Sequence, residues 1–157
     1  MTKEIALPKN QVALVDDWNY EWLSEYVWYI RWDRCTNGFY AQRTEGTKRA
    51  SRFVVYMARE IMKTPKGMFC DHINHNTLDN REVNLRNVTR SQNGMNRYVQ
   101  SNNKLGEKNI SRHGSGFEVR IKVKGTVLFD KTFRTLEDAV IARDRAIQKY
   151  HGEYGTA

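Results

Sequence analysis

With 157 residues, 39% of them hydrophobic and 28% charged, the chain can build one ordinary domain or two to three small modules, and a disordered polymer is excluded. No stretch approaches the roughly 18 apolar residues of a membrane helix, and no signal-peptide core follows Met1-Thr2-Lys3-Glu4-Ile5, so a cytoplasmic protein without a membrane partner is expected. Cys35 and Cys70 are the only cysteines and the net charge is +8, which excludes a disulfide framework or four-cysteine zinc site and leaves a basic surface suited to a polyanion, or simply to solubility.

In chain order, residues 11–15 read as a short strand, and Asp16 or Asp17 is placed to cap a helical turn through Trp18, Tyr20, Trp22 and Leu23. Residues 26–32 and 38–42 are aromatic-rich strand candidates, joined by a hairpin that Asn37-Gly38 signals. All four tryptophans fall in this N-terminal segment, available for base stacking or, more simply, for a small core of bulky residues. Residues 53–62 predict a helix with Val54, Met57, Ala58 and Ile61 on one face, ended by Pro65 to Gly67. Residues 68–71 then form a strand, 74–80 are dense in turn formers and 84–88 return as a strand. Thr89 with Gln92 three residues on opens a helix that carries Asn93 in its first turn. Polar residues 98–107 read as a linker. Strands at 109–112, 117–123 and 127–133 follow, then a helix opened by Thr135 with Asp138 three residues on.

The strand-loop-strand-helix stretch carries the chemistry, because it can point Asp71, His72 and Asn93 into one small volume. Hydrolysis of a phosphodiester needs a deprotonated water, a counter-charge for the transition state and help for the leaving 3′ oxygen. His72, with an ordinary pKa near 6.5, can accept the water's proton. Asp71 and Asn93 offer hard oxygen ligands that suit Mg2+, or Mn2+, with water and phosphate filling the other positions. Taken singly, each residue also has a plain reading. His72 can be a hydrogen-bonded structural histidine, His75 an exposed turn residue, and Asn74, Asn76, Asp79 and Asn80 loop formers. Arg81 and Arg86 can clamp phosphate, or pair with Glu82 and Asp79.

The string Asp71-His72-Ile73-Asn74-x-Asn76-x-x-Asp79-Asn80-Arg81-x-x-Asn84-Leu85-Arg86-x-Val88-Thr89-x-x-Gln92-Asn93 closely resembles the H-N-H homing endonucleases of phages and mobile introns. The likeness covers residues 53–97, with residues 15–23 similar to the usual lead-in. It implies a ββα-metal fold in which His72 is the general base, Asp71 and Asn93 are metal ligands, and Asn84 braces the hairpin and orients His72. Two positions depart from the family: Ala58 stands where a helix histidine is common, and Cys70 where a valine is.

Residues 108–154 resemble the three-strand-plus-helix DNA-binding domain of plant ethylene-response factors, a module also found fused to H-N-H nucleases. The likeness rests on Gly116-Phe117-Glu118-Val119-Arg120-Ile121, on Thr132 to Ala139, and on Ala142-Arg143-Asp144-x-Ala146. Positive charge collects toward this end: residues 1–51 hold 7 Lys and Arg against 7 Asp and Glu, 52–93 hold 7 against 4, and 94–157 hold 12 against 7. Alternation along 117–123 puts Phe117, Val119, Ile121 and Val123 on one face and Glu118, Arg120 and Lys122 on the other. Arg120 and Lys122, with Arg112, Lys124 and Lys131 as neighbours, are expected toward DNA. Arg97, Lys104 and Lys108 are expected against phosphates as the linker follows the minor groove, with Arg81 and Arg86 contacting DNA near the cut.

The expected architecture is α+β. Residues 1–97 form an H-N-H nuclease domain, with a small β-rich platform (1–51) and a ββα-metal core (52–97). A DNA-tracking linker (98–107) leads to a three-stranded antiparallel sheet packed on one helix (108–157). The function this implies is a sequence-tolerant, site-specific endonuclease of the homing type. It acts as a monomer on double-stranded DNA in a bacterial cytoplasm and is encoded by a phage or mobile element. The alternatives are a non-catalytic, sequence-specific DNA-binding regulator and, from the aromatic N-terminal strands, an RNA-binding protein.

Overall fold

The N-terminus folds into a hairpin of which residues 11–15 are only the second half: β1 (Thr2–Leu7) and β2 (Gln11–Asp16) pair antiparallel, from Thr2 opposite Asp16 to Leu7 opposite Gln11. Alternation buries Ile5 and Leu7 on one strand and Ala13 and Val15 on the other. The computed structural model describes residues 1–47, 51–99 and 103–155. Its backbone divides into two units, Met1–Thr89 and Arg90–Ala157.

In the first unit, α1 (Asp17–Ser24) follows β2 directly. Asp16 takes the N-cap position, but its side chain does not cap the helix. Its Oδ2 instead accepts the backbone N–H of Glu82 at 2.7 Å. The expected side-chain cap is therefore replaced by a long-range tie to the segment just before residues 85–88. Next comes an antiparallel sheet ordered β3 (Tyr29–Asp33), β4 (Gly38–Glu45), β5 (Phe53–Tyr56). The turn between β3 and β4 is held by Asp33 Oδ1, which accepts from the amides of Cys35 at 2.8 Å and Thr36 at 3.0 Å. Gly38 is required where it stands, because a Cβ there would lie 2.8 Å from Thr77 Oγ1.

The helix expected over 53–62 is half strand. Phe53 to Tyr56 pairs with β4, and only α2 (Met57–Ile61) is helical. Phe53, Val54, Val55 and Tyr56 are β-branched or aromatic and fit a pleated edge, which overrides the chance helical spacing of Val54, Met57 and Ile61. Met57, Ala58 and Ile61 join Leu23, Trp28, Ala41 and Leu85 in the unit's core. Against that core Arg43 is buried, paired with Glu45 and Glu60. Its guanidinium lies 3.9 Å from the Tyr26 ring centroid and 4.9 Å from that of Trp28, so Trp28 serves the core. Trp18 and Trp32 stay exposed.

The unit closes with the hairpin of β6 (Phe69–His72) and β7 (Leu85–Val88), which pair antiparallel from Phe69 opposite Val88 to His72 opposite Leu85.

The second unit begins with α3 (Arg90–Met95) and contains an antiparallel sheet ordered β10 (Thr126–Phe133), β9 (Gly116–Val123), β8 (Ile110–His113), followed by α4 (Leu136–Tyr150). Ile110, Val119 and Ile121 pack with Ala139, Ala146 and Ile147. Thr135 caps α4 as its spacing predicts, accepting from Asp138 N at 3.1 Å. Of the segment read as a linker, residues 100–102 lie outside the described residues, and the part after them is folded. Leu105 packs on the sheet-helix core, and buried Arg143 donates to Lys108 O at 2.9 Å and pairs with Glu107 at 3.0 Å.

Candidate active site

Twelve residues separate β6 from β7, and their asparagines and aspartate form a hydrogen-bonded frame rather than an open loop. Asn84 accepts from Asn74 N at 2.9 Å through Oδ1 and donates to Asp79 O at 2.8 Å through Nδ2, while its carbonyl accepts from Ile73 N at 2.9 Å. The side chain of Asn74 accepts from Asn76 N, and that of Asn76 from Leu78 N. Each is an Asx turn that substitutes a side-chain oxygen for a backbone one. Asp79, buried at the centre, takes a two-pronged pair from Arg81 with both distances 2.7 Å and a hydrogen bond from Asn74 at 3.0 Å. The Arg81 hydrogen bonds hold its carboxyl below the usual carboxylate range.

The frame is stitched to the N-terminal hairpin. Leu14 N donates to Leu78 O at 2.9 Å, Asn80 N donates to Leu14 O at 2.8 Å, and Thr77 Oγ1 donates to Phe39 O at 2.6 Å. Glu82 adds a carboxylate that accepts from Trp18 Nε1 at 2.9 Å and Asn19 Nδ2 at 2.8 Å.

His72 ends β6 and is only 5% exposed. Asn80, 1% exposed, donates its Nδ2 to Leu78 O at 3.3 Å, which turns its Oδ1 toward the imidazole. Nε2 of His72 therefore carries the hydrogen and donates to that oxygen across 3.2 Å. The lone pair of the neutral ring is left on Nδ1, the nitrogen able to take up a proton. Burial lowers the ring's pKa below its ordinary 6.5, opposed by the Asn80 hydrogen bond and the charges of Asp71 and Asp79. Tyr40 meets the ring edge-on, with centroids 6.0 Å apart.

Asp71 stands opposite Arg86 in the hairpin register, and Arg86 Nε and Nη2 both reach its Oδ2 at 2.9 Å. Both arginines sit in ion pairs, with partners arranged otherwise than the sequence reading had them: Arg81 pairs with Asp79, and Arg86 with Asp71. Cys70 donates its thiol to Ala58 O at 3.4 Å and is pushed up to about 11 by burial, which keeps it a neutral packing group.

The structure thus brings Asp71, His72 and Asn84 together on one hairpin, and adds Asn80 and Tyr40 to them. Asn93 lies on α3, in the second unit. Sequence reading took Asn80 for a loop former. Its adjacency to Asp79 carried no signal that its side chain would face a histidine eight residues earlier. Among the described residues no group of three or more His, Cys, Asp or Glu is placed to hold a metal ion. An ion drawing on Asp71 would complete its shell with amide, water and phosphate oxygens, a donor set that fits Mg2+ and not Zn2+.

In the second unit, Arg97, Lys104, Arg112, Arg120, Lys122, Lys124 and Lys131 are exposed. Arg120 pairs with Glu118 at 2.9 Å and Asp130 at 3.0 Å. Lys108 is turned inward: its ammonium donates to Met95 O, and burial with Arg143 nearby brings it down to about 8. Lys108, Arg120, Lys122 and His151 share a groove of about 370 Å³ with Ser91 and Gly94 of α3.

Residues 63–95 match the family model described as HNH endonuclease. They span the hairpin, its asparagine frame and α3. Over 132 residues the chain is 29% identical to a protein of Acanthamoeba polyphaga mimivirus named as an uncharacterized HNH endonuclease, covering 84% of this chain and 66% of the relative, just under two thirds of its length. No solved structure matches the chain significantly.

Proposed function

We propose that the protein is a DNA endonuclease in which His72 is the general base. The observation that carries this reading is the buried His72, its Nε2–H tied to Asn80 and its neighbour Asp71 on the same hairpin, within the 63–95 segment that matches HNH endonucleases. His72 Nδ1 takes a proton from water as the water oxygen bonds to phosphorus. The bond from phosphorus to the 3′ oxygen breaks, and that oxygen leaves and picks up a proton from solvent. The products are a 5′-phosphate and a 3′-hydroxyl. Burial favours the neutral imidazole, the form that accepts a proton at pH 7.

In this reading Asp71 is the carboxylate ligand of one divalent ion, Mg2+ or Mn2+, and Asn93 the amide ligand, as the H-N-H resemblance implies. When bound, that ion supplies counter-charge for the phosphorane-like transition state and for the leaving oxygen. Arg86, which neutralises Asp71 without an ion, is then released toward DNA phosphate. Asn84 holds the frame that carries Asn80, and Asn80 holds the base.

The second unit would bind double-stranded DNA in the manner of the ethylene-response-factor-like module. The sheet face of Arg120 and Lys122 is the contact, with Arg112, Lys124 and Lys131 around it and Arg97 and Lys104 on phosphates. The protein acts as a monomer of the homing type, encoded by a phage or mobile element and working in the host cytoplasm. Purified protein incubated with plasmid DNA, with Mg2+ or with chelator, tests the reading: metal-dependent nicking or linearisation is expected. Retarded but intact DNA under both conditions would overturn it in favour of a binding regulator.

A further inference from the structure

The face of the β3–β4–β5 sheet turned away from Ala41 carries Tyr29, Arg31, Tyr40, Gln42 and Tyr56, because Arg31 pairs across strands with Tyr40, and Gln42 with both Tyr29 and Tyr56. Where this face meets α2 and β6 it opens into a cavity of about 250 Å³ lined by Arg31, Tyr40, Tyr56, Ala58, Phe69 and His72. That is below the roughly 300–1,000 Å³ of sites for drug-sized ligands and suits one ring system with its sugar. Tyr40, Tyr56, Phe69 and His72 supply aromatic walls, with Tyr40 and Tyr56 edge to face at 6.1 Å. Two cations stand at the wall: Arg31, which donates to the Tyr56 hydroxyl at 2.7 Å, and Arg59. Asp33, also at the wall, is committed to the amides of the β3–β4 turn. Cys70, also there, donates its thiol to Ala58 O at 3.4 Å. Ala58 presents only a methyl group, and a larger side chain at that position would project into the same space.

We propose that this cavity receives the nucleoside adjoining the scissile phosphate, a substrate subsite that rests on the nuclease reading given above. A nucleoside turned out of the duplex stack suits the apolar and the cationic walls together. Its base has an apolar face for the tyrosines and Phe69, whichever base it is. Its phosphate is negative and meets Arg31 and Arg59. His72, on the same wall, is then within reach of that phosphate. The pocket accordingly holds the strand in place without reading its sequence.

The test uses the full-length protein carrying 13C-labelled alanine methyl groups, titrated in chelator with a short mixed-sequence duplex until end-label anisotropy reports saturation. The Ala58 methyl resonance is expected to move upfield by the ring current of an entering base, while those of Ala13 and Ala139, buried in the two cores, stay in place. An Ala58 signal unmoved at saturation overturns the subsite. In parallel, Ala58→Leu narrows the cavity and is expected to raise KM for plasmid cleavage about tenfold, the order of one lost base–aromatic contact, in a variant whose circular dichroism shows it folded. An unchanged KM in a folded variant likewise overturns the proposal. Metal-dependent cleavage with a stationary Ala58 signal removes the subsite alone. A shifted Ala58 signal with no cleavage under any condition keeps the nucleoside pocket and removes the nuclease reading.

Discussion

The loop between β6 and β7 and the sheet of β8 to β10 both display polar side chains, but in opposite ways. In the loop, the side chains of Asn74, Asn76, Asp79, Asn80 and Asn84 are all tied to backbone or to one another, and Asp79, Asn80 and Asn84 are buried. On the sheet, Arg120 makes its two ion pairs in the open, and Lys122, Lys124 and Lys131 are exposed. The contrast matches the two tasks proposed for them. Chemistry needs one ring held in one tautomer before substrate arrives, so its supports are numerous and dry. Binding a polyanion needs charges that can be re-paired, and exposed ion pairs worth about 0–1 kcal/mol are easily traded for phosphate.

If the frame does serve chemistry, the largest effect should come from the ring it holds. His72→Ala is expected to lower the DNA cleavage rate by about 10²–10⁴-fold, with duplex affinity little changed, as read from a plasmid assay beside anisotropy. Equal rates would reduce the frame to a structural device. Next, Asn84→Ala strips the buried Asp79 O of its partner, and with it the more exposed Asn74 N. At about 1–3 kcal/mol for a buried group left unsatisfied, it should lower the thermal midpoint visibly. An unchanged midpoint would show that the loop is not over-determined after all.

Asn80→Ala probes positioning directly. The expected loss in cleavage rate is about tenfold, on the scale of one buried hydrogen bond. It should be accompanied by 15N shifts of His72 that change from a single Nε2–H tautomer to a mixture. A single tautomer in the variant would mean that another group sets it.

The fourth effect is on stability. Burial lowers the pKa of both His72 and His151 below 6.5, so the unfolded chain binds protons more readily than the folded one. The stabilisation is complete above about pH 6.5 and is lost as pH falls through the lower folded values. Thermal midpoints should therefore drop between neutrality and about pH 5, and a flat profile there would contradict the burial of both rings.

The smallest effect belongs to the sheet. Lys122→Gln should reduce the slope of log affinity against log salt by about one, with a Tm close to that of the parent. No change in slope would place DNA elsewhere.

Much of this was legible in the sequence where local chemistry and periodicity agree. The Asp71-His72 strand end, the returning strand, the Thr135 cap and the alternation that buries Val119 and Ile121 all follow from short-range rules. What escaped was long-range. Residues 53–56 have helical spacing by accident, and their strand exists because β4 offers an edge to pair with. Asp16 looks like a helix cap until Glu82, 66 residues away, claims its carboxylate. Asn80 looks like one turn former among several, because nothing local reveals that its own amide is fixed by Leu14 and Leu78. The arginine pairs were legible in kind and not in partner: the register that sets Arg86 opposite Asp71 is a property of the folded hairpin.

The two hydrogen bonds that Leu14 makes to Leu78 and Asn80 fix the minimum part of the chain that can be moved. Residues 63–95 contain the whole H-N-H string, yet Leu14 lies outside them. Excised or grafted into another scaffold, that segment would leave the Leu78 carbonyl and the Asn80 amide without their splint, and the imidazole would lose its rest orientation. The transferable unit of this site is therefore the hairpin of β1 and β2 together with that of β6 and β7, two pieces of chain with 52 residues (17–68) between them that must travel as one.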